Sequence, residues 1–138
     1  MTGGERAAER GRPDPFYRAV RSVFLLAAGP LFQLRVEGAD LIPRAGPLIV
    51  LARHRSWLDP ACVAAACARP VGFLILAKVY DRRWARWFYR RMGSIPVDPG
   101  GGSAVAAIRE ALRRLRRGEV VGVFPEGRVF PEHAPGQM

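Results

Sequence analysis

An α/β fold, with a mixed but mostly parallel sheet flanked by helices and an amphipathic helix ahead of it, is predicted by three observations. From Pro47 onward, short apolar runs alternate with segments of helical pattern, the order that builds a largely parallel sheet with helices on its faces. The apolar runs are four to seven residues long and bounded by Pro, Gly or polar residues, as strands buried on both faces are. Each run also ends in a polar cluster: "LIVLA" in "RHRSWLD", "FLILA" in Lys78, "SIPV" in Asp98 and "VVGVF" in "PEGR". A strand interior cannot host unpaired charge, so such groups collect at one rim. In open α/β sheets the rim at the strands' carboxyl ends is where ligands bind.

Residues 1–14, "MTGGERAAERGRPD", read as a flexible basic tail. Asp14 followed by Pro15 is an N-cap with proline at the first helical position. They open an amphipathic or interfacial helix over 15–34, with Phe16, Tyr17, Val20, Val23, Phe24 and Ala27 on one side and Arg18 and Arg21 on another. Its apolar run is interrupted at Gly29-Pro30 and falls short of the roughly 20 residues a bilayer span requires. The remainder, 35–138, reads as one domain. "LIVLA" (48–52) is a strand, Asp59-Pro60 starts a helix through 61–68, and "VGFLILA" (71–77) is the next strand. "RRWARWFYRRM" (82–92) is a basic, aromatic helix and "SIPV" (94–97) a short strand. "SAVAAIREALRRLRRG" (103–118) is the clearest helix. Ser103 is its expected cap, Val105, Ile108, Leu112 and Leu115 form an apolar seam, arginines fill its last turns, and Gly118 closes it. "VVGVF" (120–124) is the last strand.

The chain has 138 residues, 49% of them apolar and 25% charged, which suits one folded domain. Its 22 basic residues against 12 acidic ones give a net charge of +10, nearly all arginine because Lys78 is the sole lysine. Arginine pairs bidentately with phosphate, so anionic partners are expected. Cys62 and Cys67 fit neither a redox pair nor a zinc site, the only histidines are His54 and His133, and no metal is expected. No uninterrupted apolar core follows a short basic start, so a reducing, cytoplasmic setting is the default. Ribonucleoprotein sequences, zinc-finger spacing and helix-turn-helix patterns are missing, so no nucleic acid is expected. The triglycine at 100–102 lacks the ending of a phosphate-binding loop and reads as a connector.

Four stretches occur in order: His54-x4-Asp59 in "HRSWLD", "AK" at 77–78, "GSIPVD" at 93–98 and "FPEGR" at 124–128. In this the chain, from about residue 35 to 130, resembles the glycerolipid acyltransferases typified by 1-acyl-glycerol-3-phosphate acyltransferases. It departs from their pattern at Arg53, where asparagine is usual, and at Pro99, where arginine often follows "VD". It also stops soon after "FPEGR", where members continue, and so reads as a C-terminally incomplete domain.

The resemblance implies a glycerol-3-phosphate acyltransferase-like fold and transfer of a fatty acyl group from a thioester to a lysophospholipid hydroxyl. The donor, acyl-CoA or acyl-carrier protein, is a substrate, and no cofactor is implied. An attacking alcohol must lose its proton, for which neutral histidine is suited near pH 7. His54 is therefore the expected general base, and Asp59 the group that fixes its tautomer; capping a helix is the plainer role for Asp59. Glu126 can accept a bond from the acceptor hydroxyl, Gly127 allows close backbone approach, and Arg128, with Lys78 beside it, can hold the acceptor phosphate. Ser56 stands in no nucleophile elbow and is not expected to attack. Arginines interleaved with Trp84, Trp87, Phe88 and Tyr89 suit a phospholipid surface, so peripheral binding at the cytoplasmic face of the membrane is expected. The rival readings are a non-catalytic, membrane-binding fragment of such an enzyme and a basic nucleic-acid-binding module.

Overall fold

The structure, a computed structural model, describes residues 14–126. The basic tail, Asp14 aside, lies outside them, as do Gly127, Arg128 and His133. Helix α1 spans Pro15–Phe32 and is followed by a 3-10 turn at Ala39–Leu41. Strand β1 (Leu48–Leu51), helix α2 (Asp59–Ala66), strand β2 (Val71–Leu76), a short helix α3 (Ala77–Tyr80) and helix α4 (Ala85–Arg91) come next. Strand β3 (Ile95–Val97), helix α5 (Ser103–Arg116) and strand β4 (Val120–Val123) complete the order. The four strands pair parallel in the order β1-β4-β2-β3. The step from β1 to β2 crosses the sheet one way and the step from β3 to β4 crosses it the other. Connections of one hand therefore put α2 and α5 on opposite faces.

On the first face, Val71, Phe73 and Val120 form the core with Ala64 and Cys67 of the α2 segment and Tyr17 of α1. Tyr17 keeps its hydroxyl satisfied there by accepting the Val71 N–H at 3.1 Å, and burial pushes the phenol above its ordinary range in spite of that bond. Asp14 caps α1 as expected, its Oδ1 accepting the Phe16 N–H at 2.9 Å. The face of α1 differs from the expected one. Arg21 turns inward and donates to the carbonyls of Ala64 and Ala65 at 3.1 and 2.7 Å, where α2 ends and its last carbonyls lack partners. Val23 and Ala27 are exposed instead, along with Leu26, Leu31 and Phe32. The helix also continues through Pro30 and ends at Gln33, whose left-handed backbone returns its N–H to Gly29 O. No helix among the described residues is long and apolar enough to cross a membrane.

Helix α4 lies beside the start of α1. Phe16 meets the edges of Trp87 and Phe88 at 5.0 and 6.0 Å. Arg91 lies over the Phe16 ring at 5.3 Å and pairs with Asp14 at 3.0 Å. Trp84 and Trp87 keep most of their surface open, next to Arg82, Arg83, Arg86 and Arg90.

On the opposite face, α5 contradicts its expected orientation. Val105 and Ile108 are each 56% exposed and Leu112 48%. The helix packs on β3 and β4 through Ala107, which is buried, and through Arg114. That guanidinium holds Glu110 Oε1 at 2.9 Å and donates to Gly93 O. Alanine lets the helix approach the sheet closely, and an arginine bonded to a carboxylate and a backbone carbonyl can be covered at modest cost. The expected Ser103 cap is not formed either: the Ser103 hydroxyl accepts the N–H of Asp98 at 3.0 Å. Gly118 does end the helix, in the left-handed conformation that favours glycine.

Candidate active site

Because every strand runs the same way, all four carboxyl ends open on one rim, and β1 and β4 are neighbours there. Leu51 pairs with Val123, and the Ala52 N–H reaches Val123 O at 3.2 Å. The residues that leave these strands, Arg53-His54 and Phe124-Pro125-Glu126, thus emerge side by side. The first and last motifs, some seventy residues apart in sequence, meet at this point.

The loop after β1 turns back on itself at Ser56–Asp59, so that Asp59, the first residue of α2, faces His54. Asp59 Oδ2 lies 3.2 Å from His54 Nδ1 and also accepts the N–H groups of Arg55 and Ser56, at 2.5 and 2.6 Å. Its carboxylate therefore points into the preceding loop and not onto the N–H groups of its own helix, so helix capping does not explain its position. Burial pushes the Asp59 acid up, but the bonds from Ser56, His54 and Arg55 outweigh it, and the net shift is below the ordinary carboxylate range. A carboxylate accepts only, so in the neutral ring the proton belongs on Nδ1 and Nε2 keeps its lone pair. Both side chains are about four-fifths covered, 20% and 24% exposed.

Phe124 stacks on the His54 ring with centroids 4.4 Å apart and planes 25° from parallel. Phe124 in turn stacks on Phe73 at 5.5 Å and 15°. Glu126 comes next. Its Oε2 is buried and makes no hydrogen bond within the described residues, while its Oε1 lies 4.0 Å from Nε of Arg53, whose side chain is 85% exposed. A buried carboxylate oxygen left without a donor is costly.

The other candidates are less constrained. Lys78 lies on α3, just past the end of β2 on the same rim, and is exposed. Asp98, past β3, is committed locally, its Oδ1 accepting the Gly100 N–H at 3.2 Å. Gly127 and Arg128 lie outside the described residues. Ser56 Oγ accepts the Leu58 N–H at 3.2 Å in a local turn. Cys62, one turn after Asp59, has its thiol pushed up by burial and then by the Asp59 carboxylate, which disfavours the thiolate a nucleophile would need. No group of three metal-ligating side chains gathers among the described residues. Phe124 and Phe73 were not expected at the site. Phe124 stood in the "FPEGR" motif and Phe73 inside a strand, and an apolar residue in a strand carries no mark of what its ring will face.

A protein-family model described as "Acyltransferase" matches residues 33–136. Among curated relatives, the 1-acyl-sn-glycerol-3-phosphate acyltransferase of Streptococcus pneumoniae is 33% identical over 117 residues, 81% of this chain and 44% of the relative. The lyso-ornithine lipid O-acyltransferase of Pseudomonas aeruginosa is 34% identical over 103 residues, 75% of this chain and 38% of the relative. The crystal structure of the 1-acyl-sn-glycerophosphate acyltransferase PlsC from Thermotoga maritima superposes with a TM-score of 0.66 at 25% identity, covering 96% of this chain and 51% of that one. The chain thus spans about half, or less, of the length of these relatives. With a family match over three-quarters of its length and the same parallel architecture, the chain belongs to the acyltransferase family.

Proposed function

We propose that this chain transfers a fatty acyl group from acyl-CoA or acyl-carrier protein to the hydroxyl of a lysophospholipid, 1-acyl-glycerol-3-phosphate first, in phospholipid biosynthesis. The observation that carries this reading is the His54–Asp59 pair, supported by a buried Glu126 oxygen that has no partner among the described residues. The acceptor hydroxyl gives its proton to His54 Nε2 as its oxygen attacks the thioester carbonyl carbon. Asp59 holds the imidazolium that forms. The tetrahedral intermediate collapses with breakage of the carbon–sulfur bond, and the imidazolium returns its proton to the leaving thiolate. An ester and a free thiol result, and the imidazole is regenerated. No acyl-enzyme is needed. Glu126 orients the acceptor through a neighbouring hydroxyl, and Lys78, Arg128 and the backbone at Gly127 take its phosphate.

The substrates are amphiphiles, and the exposed face of α1 together with Trp57, Trp84 and Trp87 supports collection at a phospholipid surface, where a chain of net charge +10 is drawn to anionic headgroups. Peripheral attachment at the cytoplasmic face is part of the proposal.

The test is release of thiol and formation of phosphatidate from lysophosphatidate and acyl-CoA or acyl-carrier protein, with lyso-ornithine lipid as a competing acceptor. It is run on this chain and on a C-terminally extended form. Turnover with neither donor in either form defeats the proposal. Arg128→Ala is expected to weaken phosphate-bearing acceptors roughly tenfold or more, the range for a charged hydrogen bond, and to spare neutral ones. Equal loss on both removes Arg128 from phosphate binding.

A further inference from the structure

We propose that Phe124 is a positioning residue for His54: its ring, seated on Phe73, fixes the plane of the imidazole and with it the line along which Nε2 meets the acceptor. This rests on His54 being the base. The Asp59 bond holds one edge of the imidazole but leaves the ring free to swing about the Nδ1–Oδ2 line. Contact on a ring face removes that swing, and Phe124 supplies it at 4.4 Å and 25°. Two restraints in different directions define where Nε2 points, and the rate of a proton transfer depends steeply on that alignment.

Phe124 needs support of its own, since it has left β4. Phe73, in the middle of β2, supplies that support at 5.5 Å, and Phe73 is among the buried core residues. It lies opposite Gly122 in the β2–β4 register. A Cβ at Gly122 would stand 2.5 Å from two carbons of the Phe73 ring, so the column needs a residue without a side chain at its base. The register of two central strands is thereby conveyed through two stacked rings to the base. An apolar filler at 124 would need bulk but no ring, whereas a positioning residue needs the flat face.

The test uses the whole chain and three variants, with the His54 ring protons read by NMR and turnover read with lysophosphatidate and acyl-CoA. Stacking displaces those ring protons upfield. Phe124→Leu is expected to move them downfield and to lower kcat about 10- to 100-fold, the cost of misplacement by about an ångström, with KM for the acceptor little changed. Phe124→Tyr, which keeps the face, is expected to retain the ring shifts and most of kcat. Phe73→Leu is expected to give a smaller change in the same direction, and it decides the matter if the Phe124→Leu variant does not fold. His54 resonances unmoved in the folded leucine variants overturn the proposal, as does a Phe124→Tyr enzyme as impaired as Phe124→Leu. If His54→Ala is inactive while Phe124→Leu turns over normally, positioning fails and the base assignment stands. If His54→Ala turns over normally, the base assignment fails first.

Discussion

The carboxyl-end rim of the sheet has two halves. At the exits of β1 and β4, the His54–Asp59 pair is held by its neighbours: three donors share one Asp59 oxygen, and His54 is bound along one edge and covered on one face. At the exits of β2 and β3, Lys78 extends into solvent and Asp98 serves its own turn. Preorganisation is worth most where a transition state must be matched, whereas a charge that gathers a headgroup can be loosely held. Under the proposed function, the contrast fits proton transfer at the His54–Asp59 pair and a loosely held phosphate contact at Lys78.

Substitutions can break that contrast. The largest effect is expected for His54→Ala, a loss of about 10²–10⁴-fold in kcat with circular dichroism and vesicle binding retained; full turnover would move the chemistry elsewhere on the rim. Asp59→Asn is expected to cost about 10²-fold, the lower part of that range, because the amide can donate to Nδ1 and favour the wrong tautomer. It also has a signature in acid. The Asp59 acid is weakened as a proton acceptor in the fold, so its stabilising contribution is complete above the ordinary value near 3.9 and is lost as pH falls through the lower folded value. Urea melts should show the native chain's advantage over Asp59→Asn at pH 6 shrinking below about pH 4. An advantage that instead grew in acid would reverse the assignment. Glu126→Gln should raise KM for the acceptor about tenfold, the scale of one charged hydrogen bond, with little change in KM for the donor. Lys78→Ala is expected to be the mildest, about twofold to fivefold in acceptor KM, as an exposed charge permits. A larger loss at Lys78 than at Glu126 would invert the division between the two halves.

The rim was readable because charge cannot lie within a strand, whereas the His54–Asp59 pair was legible through the resemblance of its motif and the companion motifs to the acyltransferases. The faces of the helices were harder to read. The seam on α5 has the right spacing, but periodicity names a stripe without saying which stripe meets the sheet, and Ala107 with Arg114, bonded to Glu110 and Gly93 O, took that place. Arg21 was read only as lying on a different side of α1 from the apolar residues, and the open carbonyls ending α2 gave its charge an interior use. Phe124 and Phe73 escaped notice because stacking depends on the β2–β4 register, which is a property of two strands far apart in the chain.

At the far end of the strands, Arg69 gathers the carbonyls of Pro43, Gly46 and Gly118 into one fork. The loop before β1 and the connection from α5 to β4 both depend on that single side chain, and a lysine in its place could not span them. The amino ends of the strands are thus tied together by a group well removed from the His54–Asp59 rim.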